Sequence, residues 1–245
     1  MRGIAVIPAR MGSNRMPWKN RLEIEVGVSL AQHAVNCARG AGCFERIVVS
    51  TDAPEDLPID RAIVSRRPPD LATGTSDIAA VVQHELALAE RMGGKYGLVA
   101  VLQPAVLARS PLIVKRLVDE VARTGARGGL TMCPVHPWVW TAHGDQISAP
   151  WLPGPYPRSQ DCGKMWQEIN AVQVTTAEVV RCGGRWDFPL VVMDLPAWSA
   201  VLDVDTPADL EAARDIWPYA RRKLETWTGD MRLCHSTTME TTTRG

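Results

Sequence analysis

The sequence carries no net charge: 27 Lys and Arg residues are matched by 27 Asp and Glu. With no basic excess to displace counterions, a nucleic-acid binder driven by bulk charge is excluded, though local basic patches remain open. No apolar run reaches the length of a membrane span, and the N-terminus runs directly into a strand pattern. A soluble, cytoplasmic protein is expected, with neither a nucleic-acid nor a membrane partner. The six cysteines (Cys37, Cys43, Cys133, Cys162, Cys182, Cys234) include no C-x-x-C pair. They read as reduced thiols rather than a disulfide frame or a zinc site. Two nucleotide signatures are missing as well, the Gly-x-x-x-x-Gly-Lys-Ser/Thr loop and the Gly-x-Gly-x-x-Gly fingerprint. Phe and Tyr are scarce, at two and three, while Trp numbers nine. Four of these, Trp138, Trp140, Trp151 and Trp166, crowd one region, which favours core or interface packing over stacking on a ligand.

What is present is a core and an order. Hydrophobic residues make up 46% of 245 positions, enough for one large α/β domain. Short aliphatic runs at residues 4–7, 47–50, 98–102 and 129–133 have the pattern of buried parallel strands. Helical spacing lies between them: Leu30, Ala34, Val35 and Ala38 share one face, and Ile78, Val81, Val82, Leu86 and Ala89 another, ended by Gly93-Gly94. Ser110-Pro111 reads as an N-cap and first-turn proline ahead of Val114, Leu117, Val118 and Val121. This alternation predicts an α/β, doubly wound, mostly parallel sheet, with ligands at the carboxyl ends of its strands. The pattern breaks over residues 134–163, where six prolines and several Trp fall. That stretch reads as an inserted, extended dimerisation arm packed on a second subunit. Residues 169–176 resume as a strand, and Thr206-Pro207 opens a helix through Leu210, Ala213 and Ile216. From about residue 223 periodicity fades, and the Thr-rich residues 237–245 read as a disordered tail.

Two stretches carry chemistry. The first strand empties into a cationic loop, Pro8-Ala9-Arg10-Met11-Gly12-Ser13-Asn14-Arg15-Met16-Pro17-Trp18-Lys19-Asn20. Backbone N–H groups with Arg and Lys beside them suit a phosphate chain. The second stretch is Asp203-Val204-Asp205 at the end of an apolar run. Residues i and i+2 on a strand point the same way, so two carboxylates would face one hard cation such as Mg²⁺. The plainer alternative has Asp205 or Thr206 capping the helix and Asp203 solvated.

The loop resembles the I-P-A-R-x-G-S-K-x-x-P-x-K-N signature of the CMP-sialic acid synthetase (acylneuraminate cytidylyltransferase) family. Asp203-Val204-Asp205-Thr206-Pro207-Ala208-Asp209-Leu210 is similar to that family's D-x-D-T-x-x-D-L run. Val48-Val49-Ser50-Thr51-Asp52, Arg67-Pro68-Pro69-Asp70-Leu71-Ala72-Thr73 and Leu102-Gln103-Pro104, with Arg109 beyond, also match family stretches. Taken singly, Asp52 could be a turn cap and Arg67 or Arg109 a surface ion pair. A looser match joins Arg158-Ser159-Gln160-Asp161 and Ile169-Asn170-Ala171 to the family's R-x-Q-D … N-G-A. The resemblance runs from about residue 4 to 215.

The resemblance implies a Rossmann-like nucleotidyltransferase fold, with residues 1–222 as the cytidylyltransferase domain. It implies CTP bound by Ala9, Arg10, Gly12, Ser13, Arg15, Lys19, Asn20, Arg67 and Gln103, with Arg10 and Lys19 the catalytic cations. Asp203 and Asp205 would hold Mg²⁺, and Gln103, Arg158, Gln160 and Asn170 would meet a small acidic acceptor. The product would be a CMP-activated acid and pyrophosphate, made by a homodimer. Departures bear on the acceptor: Asn14 replaces the loop's usual Lys, Gly74 an Asp, and Ala105-Val106 a Thr-Ser pair. Fewer hydroxyls suit a less hydroxylated acid or a small phosphonate such as phosphonoformate. A non-catalytic nucleotide binder and a D-x-D glycosyltransferase are the rivals from other classes.

Overall fold

The computed structural model describes residues 2–12, 15–136, 138–149, 155 and 158–236. The readings that involve Ser13, Asn14, Trp151 and residues 237–245 lie outside the described residues. The chain runs β1 (Gly3–Pro8), β2 (Glu23–Glu25), β3 (Val28–Ser29), α1 (Leu30–Ala41), β4 (Phe44–Thr51), β5 (Ile63–Arg66), α2 (Ile78–Arg91) and β6 (Leu98–Val101). It continues with α3 (Pro111–Thr124), β7 (Gly128–Val135), β8 (Thr141–His143), β9 (Gln146–Ser148) and β10 (Met165–Thr176). It closes with α4 (Ala177–Arg181), β11 (Leu190–Asp194), α5 (Pro207–Glu225) and β12 (Met231–Cys234).

Eight strands form one sheet in the order β12-β11-β7-β10-β6-β1-β4-β5. Strand β1 sits inside it, parallel to β4 and to β6. All six of its residues are buried, because helices cover both faces. Ala5 and Ile7 pack into the cluster that includes residues of α1 and α3, while Ile4 and Val6 meet Val82 and Leu86 of α2. That double covering is why β1 reads as an unbroken apolar run rather than an alternating one. Each helix starts on a side-chain cap: Ser29 accepts from Gln32 N–H, Asp77 from Ala79 N–H and Ser110 from Ile113 N–H. Among the described residues no helix is long and apolar enough to cross a membrane.

The sheet is mostly parallel, as the sequence reading has it, with β10 antiparallel to both neighbours. Two features differ from that reading. The sequence reading does not mark strands β5 and β11: β5 has only two apolar residues and extends one edge, while β11 is a buried apolar run, Leu190–Met193, that pairs with β7. The boundary at residue 222 is not a structural limit: α5 continues to Glu225, and β12 adds an antiparallel strand beside β11. Residues 134–163 leave the sheet where Val135 faces Met165, and the exposed β8–β9 hairpin lies within them. Trp138 and Trp140 are exposed there, at 40% and 50%, so they are not core residues. Trp166 instead lies under the Arg232 guanidinium, 4.4 Å from its ring centroid.

Candidate active site

Parallel strands end their hydrogen-bond ladders at one edge of the sheet, and the loops leaving that edge must find other partners. Here they close a cavity of about 380 Å³ beyond the carboxyl ends of β1 and β6. The loop after β1 is fixed from behind. Ala9 is fully buried and its N–H donates to the Ser50 carbonyl. Met11 N–H donates to Asp52 Oδ1 at 2.8 Å. Asn20 is buried, and its Nδ2 donates to the Arg10 carbonyl at 2.7 Å, so the amide braces the loop while lining the cavity. Gly12 is exposed next to Asp52.

Among the described residues the cavity wall collects Arg10, Arg15, Lys19 and Arg67 against a single acid, Asp205. Arg10 Nη1 reaches the Ala72 carbonyl at 3.4 Å and so tethers the loop leading to α2. Arg67 is no surface ion pair. It is buried, its Nη2 donating to the Ser50 carbonyl at 2.9 Å and its Nε to Ser50 Oγ at 3.3 Å. Burial lowers its pKa. Lys19 Nζ bridges the Val204 carbonyl at 3.2 Å and Asp205 Oδ1 at 3.0 Å, and Arg15 takes Asp205 Oδ2 at 2.7 Å.

The carboxylate pair is not at a strand end. A 3₁₀ segment, Ala197–Leu202, precedes it, and Asp203 makes an isolated antiparallel bridge to Val106. The backbone at Asp203 is extended, and Val204 is fully buried, its N–H donating to the Ala105 carbonyl. Asp203 and Asp205 thus flank the buried Val204, but only Asp205 lines the cavity. Burial first, and the Asp205 charge second, hold the Asp203 carboxyl above its ordinary pKa. A divalent cation would relieve that conflict, so the donor set fits one. Among the described residues no three or more His, Cys, Asp or Glu gather for a metal, so substrate oxygens would have to complete the shell. The third acid of the run has a separate task. Asp209 Oδ2 accepts the N–H of Asp205 at 3.0 Å and of Thr206 at 2.7 Å, and Thr206 Oγ1 accepts the Asp209 N–H. This capping box locks the backbone that carries Asp205.

Sequence reasoning thus placed Arg10, Arg15, Lys19, Asn20, Arg67, Gln103 and Asp205 on one cavity. Arg158, Gln160 and Asn170 do not line it. Arg158 is exposed and paired with Asp161 at 2.6 Å, Gln160 is exposed, and Asn170 accepts from Arg185 at 3.4 Å. Of the altered pair, Ala105 lines the cavity, while Val106 is buried at 3% in the core. Ser76 and Ile78 also line it, and sequence gave no sign of them beyond their place after the Arg67–Thr73 stretch. Arg109 is not a surface group either: it is 1% exposed, behind the Gln103–Val106 loop.

Residues 4–116 match the family model described as cytidylyltransferase. A CMP-N,N'-diacetyllegionaminic acid synthase from Legionella pneumophila is 34% identical over 139 residues, 55% of this chain and 59% of that protein. A pseudaminic acid cytidylyltransferase from Campylobacter jejuni is 27% identical over 124 residues, 49% of this chain and 51% of that protein. The chain thus spans between about half and three-fifths of these relatives' length. Among solved structures, CMP-2-keto-3-deoxy-manno-octonic acid synthetase complexed with CTP superposes with a TM-score of 0.61 at 18% identity, covering 89% of this chain and 99% of that one. A 4-diphosphocytidyl-2C-methyl-D-erythritol synthase gives 0.62 at 17% identity, covering 89% and 100%. These two structures show a shared Rossmann-like nucleotidyltransferase fold. The fold is thus shared with these two structures, and residues 4–116, which include the loop after β1, are similar to cytidylyltransferases.

Proposed function

We propose that this protein transfers a cytidylyl group from CTP to a sialic-type nonulosonic acid and releases pyrophosphate. The observation that carries the reading is the concentration of Arg10, Arg15, Lys19 and Arg67 around one cavity that holds a single acid. Such a wall attracts a polyanion, and the relatives with matching sequence are named for CMP-activated legionaminic and pseudaminic acids. Arg10 and Lys19 neutralise the triphosphate, with Arg15 beside them. Asn20 and Arg67 shape the nucleotide side, and Gln103 offers donor and acceptor at the far wall.

The acceptor oxygen attacks the α-phosphorus, a new P–O bond forms, and the α–β bridging P–O bond breaks. Charge builds on the departing pyrophosphate, where fixed cations are worth most. Asp203 and Asp205 would hold Mg²⁺, which supplies charge neutralisation and a lowered acceptor pKa when bound. Asp209 keeps Asp205 in place for that task. The protein acts in the cytoplasm as a homodimer, joined partly through the arm that exposes Trp138 and Trp140. The small-phosphonate acceptor loses support, since the matching relatives are named for nonulosonic acids.

The test is pyrophosphate release with CTP, Mg²⁺ and a panel of nonulosonic acids, a 3-deoxy-octulosonate and small phosphonates. Release with a nonulosonic acid is expected. Tight CTP binding without release from any acceptor would instead mark a non-catalytic binder.

A further inference from the structure

A second cavity lies behind the active site and shares no lining residue with it. It measures about 150 Å³ and is bounded by α1, the start of α3 and α5. Its inner wall includes Arg109, His33 and Cys37, and its mouth includes Arg221, Glu25 and Glu225. Arg109 is 1% exposed. Its Nη2 donates to the carbonyls of Gln103 and Val106, but its Nε and Nη1 have no partner among the described residues.

Charge at this cavity is divided by depth. At the mouth, Arg221 is fully engaged, with Glu25 at 2.8 Å and Glu225 at 3.0 Å. Inside, His33 is neutral at physiological pH, because burial lowers its pKa to about 3. The Cys37 thiol is uncharged as well, since burial pushes it up to about 12. Asp203 acts on Arg109 only from a distance, with no ion pair between them. One guanidinium is therefore left inside without a counter-charge, and two of its N–H groups lack acceptors. Native proteins rarely leave buried charge in that state without an ion or water. The N-terminal end of α3, at Ser110-Pro111, adds roughly half a positive charge to the same wall.

We propose that this cavity is a binding site for a small monovalent anion, held by the Arg109 guanidinium at the N-terminus of α3. A single positive charge sets the valence. A dianion would place surplus negative charge beside Glu25 and Glu225. Because Arg109 also holds the Gln103 and Val106 carbonyls, the anion stiffens the loop that carries Gln103 into the active-site cavity. The proposal does not depend on the reading of the catalytic reaction.

Chloride titration at constant ionic strength, balanced with gluconate, tests it through chloride-35 line broadening and thermal melting of the full chain. Saturable broadening and a rising melting temperature are expected. Cys37→Leu fills the cavity and leaves Arg109 in place, and Arg109→Met removes the charge. Both should reduce the excess broadening to the buffer value, whereas Lys19→Ala should keep it. If Arg109→Met does not fold, Cys37→Leu decides alone. Broadening that is absent in the wild type, survives in Cys37→Leu, or disappears in Lys19→Ala overturns the proposal.

Discussion

Lys19 Nζ lies 3.0 Å from Asp205 Oδ1, although the two residues are 186 positions apart in the chain. One comes from the loop after β1 and the other from the segment before α5, so this contact joins the phosphate loop to the carboxylate pair. Arg15 binds the other oxygen of the same carboxylate. On the proposed function, a triphosphate in the cavity would compete with Asp205 for both cations.

Lys19→Ala therefore removes a cation from the triphosphate side. Loss of one charge-assisted hydrogen bond costs about 1.5–3 kcal/mol, or about ten- to a hundredfold in kcat/KM for CTP. Arg10→Lys should also lower kcat/KM, because the planar fork that spans the Ala72 carbonyl and the cavity is lost. Steady-state kinetics with varied CTP measure both. Unchanged CTP kinetics in the pair would move the phosphate site elsewhere.

Asp205→Asn should lower turnover by about a hundredfold or more, since an anionic ligand is lost from the carboxylate pair. The fold should persist, because Asp205 is partly exposed, its pair with the exposed Arg15 is solvent-screened, and the α5 capping box is made by Thr206 and Asp209. Circular dichroism and a melting curve check the fold, and pyrophosphate release at saturating Mg²⁺ checks the role. Near-normal release would refute the assignment.

Much of this site was legible because its residues sit in two contiguous runs. Arg10, Lys19 and Asn20 follow one strand, and Asp203 with Asp205 share one extended segment. The strand assigned to that segment was wrong, since a 3₁₀ segment precedes it, and of the two carboxylates only Asp205 lines the cavity. What escaped was set by tertiary contacts. Nothing in the local pattern says that Arg67 and Arg109 lie buried, that Val106 turns inward, or that Asp209 bonds back to the Asp205 N–H. Strand β12 was missed because its pairing with β11 is sealed by a distant ion pair, Arg232 to Asp194 at 2.6 Å. The antiparallel course of β10 likewise depends on its neighbours and not on its own composition.

Asp209→Ala should cost about 1 kcal/mol, the usual worth of a helix N-terminal cap, and should lower turnover through loosening of Asp205. Hydrogen bonds from Thr206 and Asp205 hold the Asp209 carboxyl below its ordinary pKa. That stability is present above about pH 4 and lost as pH falls through the depressed folded value. The gap between wild type and Asp209→Ala in urea melts should therefore shrink below about pH 4. A gap that holds constant to lower pH would contradict the ionised capping box.

His33 predicts a second pH dependence. It is buried beside Cys37 and Trp217, near the Arg109 and Arg221 charges, with its pKa lowered to about 3 from an ordinary 6.5. The unfolded chain binds a proton below about pH 6.5 that the folded chain refuses. Stability from this group is complete above that pH and is lost progressively as pH falls toward 3. Between pH 7 and 5 the loss should be about 2 kcal/mol. His33→Gln, which does not titrate, should flatten the slope by that amount in urea melts at the two pH values. An unchanged slope would show that His33 does not titrate alone.

The acceptor prediction rests on Ala105 and Val106, which stand where the resembled family carries Thr-Ser. Only Ala105 lines the cavity; Val106 is buried against the core and bridges to Asp203. Ala105→Thr places a hydroxyl on the cavity wall, where it can meet a substrate hydroxyl. The ratio of kcat/KM for N-acetylneuraminate over less hydroxylated nonulosonic acids should rise severalfold, or about 1 kcal/mol of differential binding. Val106→Ser puts a hydroxyl among apolar neighbours instead. It should cost about 1–3 kcal/mol of stability and leave acceptor preference unchanged. Specificity constants for the acid panel, measured beside melting temperatures for both variants, separate the two effects. If Val106→Ser shifts acceptor preference while Ala105→Thr does not, the cavity wall has been assigned to the wrong residue.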